Sequence, residues 1–63
     1  MTQDEVRAAV AAISIYAEGE AHRAEDALHQ DVIRAIADGA EDAAALARLA
    51  LTTLDLDFAR WYE

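Results

Sequence analysis

The chain has 63 residues, with 13 acidic and five basic side chains, no cysteine and a net charge of −8. This length permits a single small domain spanning residues 1–63, and the lack of cysteine excludes disulfides and thiolate metal sites. The acidic charge repels phosphate, so we expect no direct binding to nucleic acid and no binding to anionic membranes.

The N-terminus has no basic region of the kind that opens a signal peptide, since it begins Met-Thr-Gln-Asp-Glu. The longest apolar run, Ala8 to Ile13, is much shorter than the roughly 18 residues of a membrane span. We therefore expect a cytoplasmic protein.

The first predicted helix runs from about Gln3 to Glu18 and is closed by Gly19. Thr2 and Glu5 have the spacing of a capping box at its start. At about 100° per residue, one face of this helix is apolar and is the expected core face: Val6, Ala9, Val10, Ile13, Tyr16 and Ala17. Ile15 lies on the opposite side, which predicts a contact surface and a homodimer formed through this helix.

The second predicted helix spans about Glu20 to Asp38 and ends at Gly39, and the third begins at Glu41-Asp42. Their expected core stripes are Ala21, Ala24, Leu28, Val32, Ala35 and Ile36 in the second, and Ala43, Leu46, Leu49, Ala50 and Leu54 in the third. Ile33 lies at the margin of its stripe, and Leu51 lies outside its own. No strand-like alternation occurs, so the pattern predicts an all-α three-helix bundle.

The C-terminal residues from Leu54 onwards have two interpretations: a continuation of the third helix, or a separate short helix or turn capped by Asp55. The second is favoured because Thr52-Thr53 lowers helix propensity just before Asp55. Three aromatic residues at helical spacing would then close the core or contact a partner: Phe58, Trp61 and Tyr62.

The second helix also carries two histidines and two acids on one flank, namely His22, Glu25, Asp26 and His29. Glu25 falls within the apolar arc, where a carboxylate requires a partner. Three interpretations remain open: a structural pair such as Glu25 with His29, a His/carboxylate metal site, or a proton-dependent switch. No hydroxyl stands in a nucleophile motif, so we expect neither an enzyme nor a bound cofactor.

Three segments carry a resemblance: Glu20-Ala-His-Arg-Ala-Glu-Asp-Ala-Leu28, Ile33-Arg-Ala-Ile-Ala-Asp-Gly39 and Leu56-Asp-Phe-Ala-Arg-Trp61. Together they resemble small acidic helical proteins of actinobacteria and their phages, over about two-thirds of the chain. The resemblance implies no catalytic or binding residue. It implies a phage or prophage accessory protein that binds a host protein.

These observations favour a non-enzymatic protein–protein interaction module, expected to be a homodimer that acts on a host protein. Its predicted contact residues are Ile15, Leu51, Phe58, Trp61 and Tyr62. One alternative is a metal-binding protein that uses the second helix. The other is an acidic mimic of nucleic acid, which requires the acids to line one face, whereas they are spread over all three helices.

Overall fold

A computed structural model describes residues 1–56, and within that range the chain is all-α and contains no strand. The helices are α1 (Gln3–Ile13), α2 (Glu18–Ala37) and α3 (Ala43–Leu51), and a 3₁₀ turn (Thr52–Asp55) follows α3 directly. The predicted three-helix bundle with a short C-terminal helix or turn is therefore confirmed.

Helix α1 begins as predicted and ends earlier than predicted. The Thr2 hydroxyl accepts from the Glu5 N–H at 3.1 Å, and the Thr2 N–H donates to Glu5 Oε1 at 2.7 Å, which completes the capping box. The helix ends at Ile13 rather than Glu18. The Ser14 hydroxyl bonds the Ala11 carbonyl at 2.6 Å, and such local bonds compete with helical pairing.

The two glycines have different roles, although both were predicted to end a helix. Gly39 follows α2 with φ of +94°, the left-handed conformation that favours glycine at a helix end. Gly19 instead lies inside the first turn of α2, which begins at Glu18, so the prediction was wrong there. Glu18 and Glu20 place negative charge beside the positive end of the helix dipole, which favours an early start.

Helix α3 begins at Ala43, two residues after the predicted start, with Asp42 as its N-cap residue. The Asp42 carboxylate accepts from the Gln3 side chain at 3.1 Å rather than from its own helix. This bond joins the first turn of α1 to the start of α3. It helps fix how the two helices are aligned.

The core consists of small and medium aliphatic side chains from all three helices: Val6, Ile13, Ala21, Leu28, Val32, Leu46 and Ala50. All seven belong to the predicted stripes. Tyr16 and Ala17 were also predicted to lie on the core face, but they lie beyond the end of α1 and are exposed. Ile36 and Leu54 also belong to predicted stripes, yet they are 37% and 58% exposed.

Helix α2 is the longest element and runs the length of the molecule. Its 20 residues extend roughly 30 Å at 1.5 Å per residue, and the largest extent of the molecule is 33 Å. Helices α1 and α3 both pack against it. None of the helices within residues 1–56 combines the length and apolarity that crossing a membrane requires.

Candidate functional site

The histidines and acids of α2 are distributed over two different environments. His22 and Glu25 are buried, with relative exposures of 9% and 3%. The Asp26 side chain is 58% exposed, and its Oδ2 lies 4.0 Å from His22 Nε2. This distance is at the outer limit of an ion pair and requires a protonated histidine, so we assign it little stability.

His29 is half-buried and faces the end of α3. Its Nε2 lies 3.2 Å from the Ala50 carbonyl oxygen and 3.0 Å from Thr53 Oγ1, and Thr53 Oγ1 donates to the same carbonyl at 3.0 Å. A carbonyl oxygen can only accept, so the contact with Ala50 requires the tautomer that carries hydrogen on Nε2. The imidazole thus joins α2 to the point where α3 becomes the 3₁₀ turn.

The four residues proposed as an alternative metal site are not gathered around one point. Across residues 1–56, no three histidine or carboxylate side chains are placed to hold an ion. His29 directs Nε2 towards α3, whereas His22 has Asp26 as its neighbour. His29 Nε2 contacts Ala50 and Thr53 at the end of α3.

An apolar groove lies between the second half of α2 and the second half of α3. We call it the α2–α3 groove. It has a volume of about 240 Å³ and is lined by His29, Val32, Ile33, Ile36, Ala47, Ala50 and Leu51. The groove exists because α3 contributes the short side chains of Ala47 and Ala50 opposite the larger side chains of α2.

The chemistry of the groove is almost entirely apolar. Of the described residues that line it, His29 is the single polar one, and its Nε2 is occupied by α3. Pockets for drug-sized ligands usually measure about 300–1,000 Å³ and contain several convergent polar groups. The groove is smaller and its described lining has no such set of groups, so its size and lining match one or two apolar side chains.

Several large apolar side chains around the groove are exposed. Ile33 is 64% exposed, Leu51 56% and Ile36 37%, and Leu54 lies one turn beyond Leu51 at 58%. The contact residue predicted at Leu51 therefore lies in the groove. Ile15 is 82% exposed but lies elsewhere, in the α1–α2 connection. Ile15 is therefore far from the groove, because Ile33 lies fifteen residues beyond the start of α2, roughly 22 Å along the helix axis.

The other predicted contact residues, Phe58, Trp61 and Tyr62, lie outside the described residues. The groove itself was not predicted. One signal for it was available in the sequence, because small residues at 47 and 50 share a side of α3 with Leu51. That pattern leaves a gap beside Leu51 unless a neighbouring helix fills it.

The fold and the groove together define a small helical domain with an apolar surface depression. No protein-family model, curated protein or solved structure matches the chain.

Proposed function

We propose that this protein is a non-enzymatic protein–protein interaction module and that the α2–α3 groove is its contact surface. The observation that carries the proposal is the exposure of Ile33, Ile36 and Leu51 around a floor of alanines. Contiguous exposed apolar side chains around a depression are typical of binding sites for other proteins.

The energy available from covering the groove supports this function. Fully burying an exposed isoleucine or leucine contributes about 1.5–3 kcal/mol. Ile33 and Leu51 are 64% and 56% exposed, so covering both contributes roughly 2–3.5 kcal/mol. An apolar anchor inserted over Ala47 and Ala50 would add to this. A free energy of this size is expected for a small interface in which a few residues supply most of the binding energy.

The composition of the groove favours binding over catalysis. Its described lining contains no hydroxyl, thiol or carboxylate that could act as a nucleophile or general base. The imidazole of His29 has a structural role, because it joins α2 to α3. The resemblance to small actinobacterial and phage proteins is consistent with an accessory protein that acts by binding a host protein.

Helix α1 exposes less apolar surface for a dimer interface than the sequence pattern predicted. Helix α1 ends at Ile13, so Ile15 lies outside it. The exposed side of α1 includes the small residues Ala8 and Ala11. An alanine contributes much less apolar surface on burial than an isoleucine or leucine does. We therefore place the main contact on the groove instead of on α1.

The test is a quantitative capture experiment from lysate of the native host, with three forms of the protein as bait. We expect wild type and Ile15→Gln to retain the same host protein, and Leu51→Gln to lose it. Ile15 is the matched control because it is more exposed than Leu51 and lies outside the groove. Equal retention by all three forms would refute the groove as the contact surface.

A further inference from the structure

The α2–α3 groove is lined without any carboxylate, although the chain has 13 acidic residues. Neither residues 32–37 of α2 nor any residue of α3 is an acid. Asp31 lies between two lining residues in sequence, but it falls about 160° around the helix from Ile33. Its carboxylate accepts from the Arg34 side chain at 3.1 Å. The described lining is therefore uncharged apart from the imidazole of His29, on a chain of net charge −8.

The groove also combines a hollow with side chains that project beside it. The hollow lies over Ala47 and Ala50. Leu51 follows Ala47 by four residues, so the two lie on one side of α3, about 6 Å apart along the axis. Leu51 is 56% exposed, and Ile33 projects from α2 across the groove at 64%. A surface that has both shapes can be complementary to itself, which an interface with two-fold symmetry requires.

From these observations we infer that in the free protein the groove is occupied by the same groove of a second copy, in an antiparallel homodimer. When two α3 helices lie antiparallel with the two-fold axis level with residue 49, position 51 of each lies opposite position 47 of the other. Leu51 of each copy then fills the hollow over Ala47 of the other. This inference rests on the proposed function and names what occupies the groove until a host protein displaces it.

Charge favours this face for self-association. Two chains of net charge −8 repel each other, so contact is least unfavourable where the facing helices contribute no acids. The one charged residue of α3 is Arg48, which is exposed and long enough to direct its guanidinium into water at the edge of the contact.

Size makes the dimer useful and weak at the same time. A chain of 63 residues without cysteine has no disulfide to stabilise its small core, and oligomerisation is one common alternative. Helix α3 has nine residues and is roughly 13 Å long, so the interface belongs to the small class, below about 1,200 Å² in total. We expect a dissociation constant of about 10 μM to 1 mM, which leaves the groove accessible to a host protein.

The test is sedimentation equilibrium of the full chain from about 10 μM to about 1 mM, with amide chemical shifts of the ¹⁵N-labelled protein followed on dilution. We expect a monomer–dimer equilibrium and shift changes centred on Ile33, Ala47 and Leu51. A substitution occurs twice in a two-fold interface, so Leu51→Gln should weaken the dimer by about twentyfold or more. Ile15→Gln is the matched control, because Ile15 is 82% exposed and lies outside the groove, and it should have no effect.

Filling the hollow separates specific packing from general apolar association. Ala47→Leu adds apolar surface, so it would strengthen non-specific association, but we expect it to weaken this dimer about tenfold or more because the hollow can no longer receive Leu51. Combining Ala47→Leu with Leu51→Ala exchanges the large and small side chains and should recover most of the lost affinity. Circular dichroism checks that each variant keeps its helices. Raising NaCl from about 0.05 to about 0.5 M should strengthen the dimer, since salt screens repulsion between acidic chains.

Three outcomes would overturn the inference. A strict monomer at about 1 mM would mean that the groove is left to another protein. A dimer that Leu51→Gln does not weaken would have its interface elsewhere. Stronger association of Ala47→Leu would show that no side chain of the second copy enters the hollow. The capture experiment decides the proposed function separately, because it measures retention of a host protein and not self-association.

Discussion

His29 illustrates how one side chain can connect two elements of a small bundle. Its Nε2 reaches a backbone carbonyl and a threonine hydroxyl that is itself fully buried. Buried polar atoms cost free energy unless they are hydrogen-bonded, so this group of bonds favours one register between α2 and the end of α3. The sequence pattern indicated His29 as part of an unusual cluster, but it did not predict the contacts with Ala50 and Thr53.

The contribution of His29 can be measured with a double-mutant cycle. We expect Thr53→Val and His29→Leu each to lower the free energy of unfolding by about 1–2 kcal/mol, because each removes hydrogen bonds. The coupling energy should be about 0.5–1.5 kcal/mol, since the two groups bond each other. Urea denaturation measures all four forms. His29→Gln, whose amide can donate from a similar position, should recover part of the lost stability. A coupling energy near zero would contradict a hydrogen bond between His29 and Thr53.

At the scale of the elements, α1 and α2 show what the sequence could and could not predict. The number of helices, the capping box and the end at Gly39 follow from local chemistry, and all three are confirmed. The predicted end of α1 at Glu18 was wrong because it relied on Gly19, whereas the helix ends at Ile13, just before Ser14. A glycine favours termination only where the backbone requires positive φ, and in the first turn of a helix it is tolerated.

Gly39 provides a test of that distinction. Its φ is +94°, and a Cβ added there would meet nothing within 4 Å, so any penalty is conformational and not steric. We expect Gly39→Ala to lower the free energy of unfolding by about 1–2 kcal/mol. Gly39→Asn should cost less, because asparagine tolerates the left-handed region. Thermal denaturation of both variants measures the difference, and equal losses would argue against the conformational cause.

The candidate site was only partly predictable, and Leu51 and Ile36 show why. Leu51 falls outside the stripe of α3, so its exposure follows from helical periodicity. Ile36 falls within the stripe of α2 yet is 37% exposed, because the opposite helix presents alanine there. Periodicity within one helix cannot reveal how well the facing helix fills the space. A groove between two helices therefore requires the packed structure.

At the scale of the whole molecule, residues of the same type contribute differently to stability in the core and at the groove. Leu46 and Leu51 are both leucines of α3, but Leu46 is fully buried and Leu51 is 56% exposed. A domain of 63 residues is expected to have roughly 3–9 kcal/mol of stability in total. Loss of one central side chain is therefore a large fraction of that stability.

We accordingly expect Leu46→Ala to lower the free energy of unfolding by about 2–5 kcal/mol and to leave a substantial unfolded fraction at 37 °C. Leu51→Ala should cost less than about 1 kcal/mol, because most of its side chain is already in contact with water. Circular dichroism during urea titration measures both. Comparable losses would place Leu51 in the core and remove the basis for the groove.

The alanines at positions 47 and 50 have a further consequence for how binding could diversify. The depression is specified by side chains that stop at Cβ, so its depth can be changed by adding one or two carbon atoms to a single residue. We expect valine or leucine at position 47 to make the groove shallower, so that only a shorter apolar side chain of a partner could enter it. The three helices and their caps should not change. Val32 and Ala50 belong to both the core and the groove lining, whereas Ala47 lines the groove without belonging to the core. Position 47 is therefore the place where the shape of the groove can change with the least effect on folding.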